Sequence, residues 1–208
     1  MSRLALALAI VLGATSGTAQ ALGEQKTALS DISAQIVRGD MLCNDFEQEK
    51  HLQALARPLL SSGKLVFVAG QGVLWQVQTP YPARILVRRD ELIRWDEDGN
   101  AHKSSYGKAP IFRALSSIFL AMFRGNFEGL QDTFDLSATQ AEGIWRLTLT
   151  PKDEILAAVI SNVRVAGGPY VEEISIFEPR GDQTSIRLRN PRIDSCKLDH
   201  AEKTYFAQ

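Results

Sequence analysis

Three histidines and two cysteines are the residues of this 208-residue chain with the widest chemical repertoire. His51, His102 and His200 lie far apart, and none belongs to an H-x-x-x-H or H-E-x-x-H pair, so their spacing does not predict a zinc site. The chain also contains no G-x-S-x-G nucleophile motif. These residue types in this arrangement predict neither a hydrolase nor a metalloenzyme.

Four short stretches contain other candidate groups, and each has a structural interpretation. Glu172 and Glu173 are neighbours in a strand-like segment, so they point to opposite faces and cannot act together on one bond. The acidic run at 96–98 is typical of a solvated hairpin tip rather than of a cation site. The stretch SSG at 61–63 is predicted to be a turn. The stretch GQG at 70–72 is predicted to be a bend, because no helix follows it to hold a phosphate.

The first 21 residues have the three parts of a secretory signal peptide. Arg3 supplies a short basic region, Leu4–Leu12 form an apolar region too short to span a bilayer, and Ala19-Gln20-Ala21 matches an A-x-A cleavage site. We therefore expect cleavage after residue 21 and an exported mature chain of residues 22–208. An uncleaved N-terminal membrane anchor is the alternative.

Cys43 and Cys196 are the two cysteines of the chain, and an exported protein meets an oxidising compartment. We expect them to form a disulfide bond that ties the first predicted strand to the C-terminal segment. A pair of free or redox-active thiols is the alternative, but the chain has no C-x-x-C spacing to support it.

The composition excludes two classes of partner. The chain has 23 Lys+Arg and 24 Asp+Glu, and removing Arg3 changes the net charge from −1 to −2. This balance provides no basic stripe for nucleic acid and no polybasic patch for a membrane surface. After residue 21, no run of roughly 18 apolar residues predicts an integral membrane protein. We expect one domain over 22–208, without a cofactor or a metal.

The hydrophobic pattern predicts a helix followed mainly by strands. Residues 23–38 place Leu29, Ile32 and Ile36 at helical spacing, which predicts an amphipathic helix. Apolar and polar residues then alternate with a period of two in four segments: 73–78, 83–89, 144–150 and 184–190. One apolar face and one wet face are typical of an antiparallel sheet that is covered on one side.

The segment 110–124 breaks this pattern because it is too apolar for a loop and too long for a typical strand. A helix this apolar must be covered, and it can cover the open face of a curved sheet. The glycines at 125 and 129 are suited to act as hinges. Two adjacent stripes run along the predicted helix: Ile111, Leu115, Ile118 and Met122 in one, and Phe112, Phe119 and Phe123 in the other.

The three tryptophans leave two interpretations open. Aromatic residues such as Trp75, Trp95 and Trp145 usually form plain core on the apolar face of a sheet. Alternatively, they line a cavity for an apolar ligand. The apolar helix decides between the two: if it packs fully against the sheet, the aromatic residues are core, and if it stays apart, they line a pocket.

Five short motifs occur in a fixed order along the chain. Their matching positions are Phe46 and Gln48 in FEQ, Gly63 and Leu65 in GKLVF, Trp75 and Pro80 in LWQVQTP, Trp95 in LIRWDED, and 149–152 in RLTLTPKD. In order and spacing they resemble the periplasmic outer-membrane lipoprotein carrier (LolA) family, from about residue 25 to residue 190. The stretch RPLLSSG and the cysteine pair resemble a carrier-like subgroup that accompanies lipid-exporter systems.

The resemblance implies an α+β, mainly β fold: a strongly curved antiparallel sheet, or unclosed half-barrel, with a helical lid over a hydrophobic cavity. It implies a periplasmic carrier of an acylated cargo, either a lipoprotein or a lipid or glycolipid, with an inner-membrane exporter as donor and an outer-membrane acceptor. The family's main branch has an Arg-Pro pair where this chain has Ala69 and Gly70. The hydrogen bonds that hold a closed lid must therefore differ here.

We therefore predict a ligand-binding cavity without catalytic residues. Its predicted wall on the sheet is Phe67, Val73, Trp75, Ile85, Val87, Trp145 and Leu147, and its predicted lid is Leu29, Ile32, Phe112, Leu115, Phe119 and Met122. Two alternatives from other classes stay open. One is a lipid-active enzyme, and the other is an interaction module whose sheet interior is filled by its own side chains.

Overall fold

The computed structural model of the chain describes residues 25–96, 98–105 and 110–208, and the side chains of Phe112 and Leu115 lie outside what it describes. The predicted signal peptide also lies outside the described residues and stays a prediction. Within them, twelve strands pair antiparallel in one sheet, in the order β1-β8-β9-β10-β11-β12-β2-β3-β4-β5-β6-β7.

The strands are β1 Gln25–Lys26, β2 Met41–His51, β3 Leu59–Val68, β4 Gly72–Thr79, β5 Ala83–Val87, β6 Glu91–Trp95, β7 Ala101–Ser105, β8 Phe134–Ala141, β9 Ile144–Pro151, β10 Asn162–Gly167, β11 Val171–Phe177 and β12 Gln183–Ile193. The helices are α1 Leu29–Gln35, α2 Pro110–Arg124, α3 Glu154–Ala157 and α4 His200–Phe206. The predicted apolar helix is thus confirmed as α2. Of the helices in the described residues, none combines the length and apolarity needed to cross a membrane.

Two runs of neighbouring strands build the sheet. Strands β2–β7 form one run and β8–β12 the other, and the long pairing of β12 with β2 joins them. Phe67 of β3 and Trp145 of β9, from different runs, belong to one buried core, so the sheet curves around a common centre. Since β1 and β7 end the strand order of the described residues, the sheet is unclosed. The predicted fold class is confirmed.

The period-two alternation has the predicted effect in β9. Trp145, Leu147 and Leu149 are buried, while Arg146 is exposed. The register continues this face into the neighbouring strand, because Leu147 pairs with Val165. Side chains of successive residues point to opposite faces of a strand, so a sheet built in this way gathers its apolar residues on the concave side.

The first helix is shorter than predicted. The pattern predicts a helix over 23–38, but Gln25 and Lys26 instead pair with Gln140 and Thr139 as the edge strand β1. Ala28 then has an extended backbone, and α1 begins at Leu29. The pairing with β8 explains the difference, because a distant strand edge overrides the local helical pattern.

The stretch 61–63 is also not the predicted turn. Ser61 and Ser62 lie inside β3, where Ser61 pairs with Gln48 of β2 and Ser62 pairs with Thr79 of β4. A register shift between Ser62 and Gly63 marks a β-bulge at this point. Polar residues and a glycine therefore mark an irregularity within a strand rather than its end.

The prediction of one wet face is wrong for β4 and β5. Leu74 and Leu86, which were assigned to the wet face by the alternation, are fully buried in a second core on the convex side. Trp95 belongs to this second core, where its ring centroid lies 4.7 Å from that of Tyr205. The C-terminal segment with α4 covers this face, so this part of the sheet is buried on both sides.

The predicted disulfide between Cys43 and Cys196 is confirmed. It links β2 to the segment that precedes α4, and Cys43 is fully buried in the second core. Glu202 of α4 is buried as well, and its Oε1 accepts hydrogen bonds from Lys64 Nζ at 2.6 Å and Gln76 Nε2 at 2.7 Å. A covalent bond and a paired buried carboxylate thus fix the C-terminal helix to the convex face.

Candidate functional site

The structure brings the predicted site residues with described side chains together in one core. Ile32, Phe67, Val73, Val87, Met122, Trp145 and Leu147 are buried in it, and Leu29, Trp75, Ile85 and Phe119 pack against it partly exposed. Phe112 and Leu115 lie outside the described side chains. The sequence therefore identified residues that share the concave face and its cover, while their binding of a ligand stays a prediction.

Aromatic rings join α2 to the sheet. The ring of Phe119 meets Trp75 edge-on, with centroids 5.3 Å apart and planes at 86°. Phe123, one turn further along α2, stacks on Phe67 of β3 at 5.7 Å. On its other side Trp75 contacts Phe46 of β2, at 4.7 Å. Such ring pairs add about 0.5–1.5 kcal/mol each beyond the area they bury.

Phe46 and Phe123 are parts of this arrangement that the predicted site did not include. Both were visible in the sequence, Phe46 in the FEQ motif and Phe123 in the second stripe of the apolar helix. Only the register shows that Phe46 shares a face with Trp75, because β3 lies between their strands. The long-range pairing of strands, rather than local periodicity, makes the contact.

The far wall of the core is formed around Trp145. Its indole Nε1 donates a hydrogen bond to the carbonyl oxygen of Gly168 at 2.7 Å, which satisfies the one polar atom of this buried side chain. Its ring also lies 5.8 Å from that of Phe127, just beyond the end of α2. Trp145 is therefore held in place on this wall, unlike the partly exposed Trp75.

The described side chains in the second half of α2 lie over the concave face. Ile118, Met122 and Phe123 are buried against the sheet. The cleft that Met122 and Phe123 share with Ile36 and Tyr170 measures about 10 Å³. This space is too small for an acyl chain. Among the described residues, Phe67 and Phe123 are core, while Trp75 and Phe119 pack against it partly exposed. A ligand can reach the part of the concave face beneath Met122 and Phe123 only if this end of α2 moves away.

Gly125 ends α2 with a backbone φ of +59°, a conformation that residues with a Cβ rarely adopt. Its carbonyl oxygen accepts a hydrogen bond from Arg38 Nη2 at 3.3 Å. The same Nη2 donates to the carbonyl oxygen of Ser33 at 2.8 Å. Arg38 therefore connects the end of α1 with the end of α2, a role that the sequence did not indicate.

The histidines lie away from this core. His102 Nε2 lies 2.8 Å from Asp96 Oδ2 at the hairpin tip between β6 and β7. This hydrogen bond, together with those that Asn100 donates, lowers the pKa of Asp96 to about 2. His51 lies beside Glu49 at the end of β2, and His200 begins α4. None of the three shares the apolar core with Trp75 and Phe119.

The fold and the core together define a class of protein. It is a mainly β domain in which an unclosed antiparallel sheet curves around an apolar interior and a helix covers the opening. The family model described as outer membrane lipoprotein carrier protein LolA matches residues 40–199. The chain belongs to the LolA family, as the resemblance predicted, and this family consists of carriers rather than enzymes. No curated protein matches the chain in sequence.

Three solved structures have a similar arrangement of elements at low sequence identity. They are a LolA superfamily protein from Nitrosomonas europaea (10% identity, 81% of this chain and 93% of that chain, TM-score 0.49), a DUF1329 family protein from Desulfovibrio piger (13%, 83% and 95%, 0.45), and a putative outer membrane lipoprotein-sorting protein domain from Vibrio parahaemolyticus (9%, 86% and 96%, 0.46). The family assignment rests on the sequence match over 40–199.

Proposed function

We propose that this chain carries an acylated molecule through the periplasm, with the acyl chain held between α2 and the concave face of the sheet. The observation that supports this function is the seating of α2 by apolar ring contacts, Phe119 on Trp75 and Phe123 on Phe67. An acyl chain can replace such contacts without leaving a buried polar group unpaired. The structure then represents the closed, unloaded state.

The energetics of exchange are compatible with loading and release. Burying one methylene group contributes about 0.8 kcal/mol, so ten of them contribute about 8 kcal/mol before ordering and association costs. Part of this free energy is used to displace α2, which lowers the apparent affinity by the fraction of molecules that are open. A carrier needs this compromise, because it must retain its cargo and still release it to a better acceptor.

We propose a lipoprotein, or a lipid or glycolipid, as the cargo, an inner-membrane exporter as donor and an outer-membrane acceptor. All these cargoes share an acyl chain, and the apolar core offers area rather than reactive groups. Ala69 and Gly70 stand where the family's main branch has its Arg-Pro pair, so the opening of this chain depends on other hydrogen bonds. This departure from the main branch favours a lipid or glycolipid over a lipoprotein as the cargo.

A second candidate function is an interaction module that binds partners on its outer surface. The packing beneath the described, second half of α2 favours it, because Ile118, Met122 and Phe123 already lie on the concave face. The two functions differ in what α2 must do. A carrier requires the helix to leave the sheet, whereas an interaction module keeps it seated.

Native mass spectrometry of the protein purified gently from its host tests the proposal. A carrier is expected to retain a lipid whose mass is seen directly, and Phe119→Glu is expected to abolish this retention by placing a charge against Trp75. Ser117→Glu is the matched control, because it adds the same charge on the outer side of α2, where the Ser117 hydroxyl donates to the Arg113 carbonyl. Equal lipid retention by the two variants would contradict the proposal.

A further inference from the structure

Exposed large apolar side chains are concentrated at one rim of the half-barrel. In the described part of the chain there are seven, and all except Val37 lie where β2, β4 and β9 end and β3, β5 and β10 begin. They are Leu55, Leu59, Leu60, Tyr81, Ile155 and Val159. Single exposed apolar residues are normal, but a group at one rim marks an interaction site.

Part of this rim forms a groove of about 540 Å³, here called the rim groove. Its walls include Pro58, Leu59, Val77, Pro80 and Tyr81, with Lys50 at one side. Tyr81 is 83% exposed and Leu59 is 50% exposed. The volume lies within the range of small-molecule sites, which is about 300–1,000 Å³.

The rim groove adjoins the proposed carrier site on the concave face. Val77 follows Trp75 by two residues in β4, so both side chains point to the same face. Across the strands Val77 pairs with Gly63, which in turn pairs with Phe46. The groove therefore adjoins the group formed by Phe46, Trp75 and Phe119. In this group Phe46 belongs to the buried core, and the other two side chains pack against that core partly exposed.

The groove floor suits an acyl chain better than a peptide. Its strands are already paired on both sides: Ser61 pairs with Gln48 and Ser62 with Thr79. A peptide strand could therefore not add to the sheet there, and Pro58 and Pro80 offer no N–H group. An acyl chain needs no such hydrogen bonds and gains from the apolar area alone.

Lys50 gives the groove one charged edge. Its ammonium lies 3.7 Å from Glu178 Oε1, and about a third of each side chain is exposed. A pair this long and this exposed contributes little, so Lys50 can turn towards a new anionic partner. An apolar floor with one cation at its side complements an amphiphile with an anionic head group.

We propose that the rim groove is a docking site for the acyl chain of an anionic amphiphile, which binds there before α2 opens and then passes Phe46, Trp75 and Phe119 into the interior. This inference rests on the proposed carrier function, of which it is the first step. The head group stays outside near Lys50, and the chain extends along Leu59 and Tyr81 towards Val77.

Stopped-flow fluorescence with cis-parinarate, an 18-carbon polyene fatty acid, tests the groove. We expect Leu59→Ser combined with Tyr81→Ser to slow association at least fivefold, with the unfolding midpoint unchanged because both side chains are exposed. The matched control is Ile155→Ser combined with Val159→Ser, at the same rim outside the groove, and its rate is expected within twofold of the unmodified protein. Association of the groove variant at the unmodified rate overturns the proposal.

The head group is tested with the methyl ester of the same fatty acid. We expect the unmodified protein to bind the ester at least threefold more weakly than the acid, and Lys50→Gln to remove this difference. An equal preference for the acid in the Lys50→Gln variant overturns the role of Lys50.

Phe119→Glu distinguishes failure of the docking site from failure of the carrier function. If Phe119→Glu no longer binds cis-parinarate while the groove variant associates at the unmodified rate, the carrier function is supported and the docking site is contradicted. If the groove variant associates slowly while Phe119→Glu still binds the fatty acid, the docking site is supported and binding of the acyl chain beneath α2 is contradicted. If the unmodified protein binds no fatty acid, both proposals fall.

Discussion

Arg38 Nη2 donates a hydrogen bond to the carbonyl oxygen of Gly125 at 3.3 Å, across 87 residues of chain. The carbonyl belongs to the end of α2, where the helix dipole favours a cation. Because the same nitrogen holds the Ser33 carbonyl of α1, one guanidinium fastens both helices that border the interior. This connection lies on a different element from the positions Ala69 and Gly70, where the family's main branch has its Arg-Pro pair.

Arg38→Gln is expected to loosen α2. The hydrogen bond from Arg38 to Gly125 is partly buried and long, and such a bond contributes about 1 kcal/mol. The open fraction should therefore rise about fivefold, and the apparent affinity for a fatty acid should rise with it. Titration with cis-parinarate measures the affinity, and amide hydrogen exchange measures the opening of α2. Arg113→Gln on the exposed side of α2 serves as control. Unchanged exchange in α2 of the Arg38 variant would show that this hydrogen bond does not hold the lid.

Phe123→Ala is expected to separate lid stability from fold stability. Phe123 is buried and stacks on Phe67, so its truncation should lower the free energy of unfolding by about 3 kcal/mol. It should also raise fatty-acid affinity, because part of the contact that an acyl chain must displace is gone. Denaturant unfolding and cis-parinarate titration measure the two effects.

Phe206→Ala is the matched control for Phe123→Ala. Phe206 is similarly buried, but it lies in the second core on the convex face. We expect a comparable loss of unfolding free energy with unchanged fatty-acid affinity. A rise in affinity for both variants would mean that general loosening, rather than displacement of α2, admits the ligand.

Local periodicity was sufficient to predict β4, β5, β9, β12 and α2, because these patterns depend on residues close in sequence. It identified Trp75, Phe119 and Met122 as members of the covered face. It could not show whether the space between sheet and helix is filled. That depends on how closely α2 approaches Phe67 and Trp75, which is a property of packing rather than of pattern.

The second core escaped prediction for a related reason. Leu86 stands between Ile85 and Val87 in a strand flanked by arginines, and the alternation assigns it to the wet face. Its burial depends on α4, which is far away in sequence and short. The disulfide between Cys43 and Cys196 was predicted, but the helix that it helps to place was not.

Glu202→Gln is expected to weaken the attachment of α4. The Glu202 side chain is only 2% exposed, and it pairs with Lys64 Nζ at 2.6 Å while also accepting from Gln76. Removing the charge weakens both hydrogen bonds, so we expect a loss of about 2 kcal/mol in the free energy of unfolding. Lys203→Gln is the control, because it removes an exposed charge from the same helix. Equal stability of the two variants in denaturant unfolding would mean that the buried carboxylate contributes nothing.

Gly63→Ala is expected to disrupt the bulge next to the aromatic group. A Cβ at this position would overlap the carbonyl oxygen of Gln76 and lie 2.9 Å from Phe46 Cε1. The backbone of β4 cannot move away without breaking the pairing of Gly63 with Val77, so we expect a cost of about 3 kcal/mol. Gly129→Ala is the matched control, since a Cβ there meets nothing within 4 Å and should leave stability within about 0.5 kcal/mol of the original.

The same pair of variants also bears on the site, because Gly63 lies between Phe46 and Val77 in the register. A methyl group at 63 pushes the Phe46 ring towards Trp75, so cis-parinarate should associate more slowly with Gly63→Ala than with Gly129→Ala. Thermal unfolding followed by circular dichroism gives the stability, and stopped-flow fluorescence gives the rate. If Gly63→Ala unfolds at the same temperature as Gly129→Ala, the close approach of β3 and β4 at the bulge does not require a glycine at position 63.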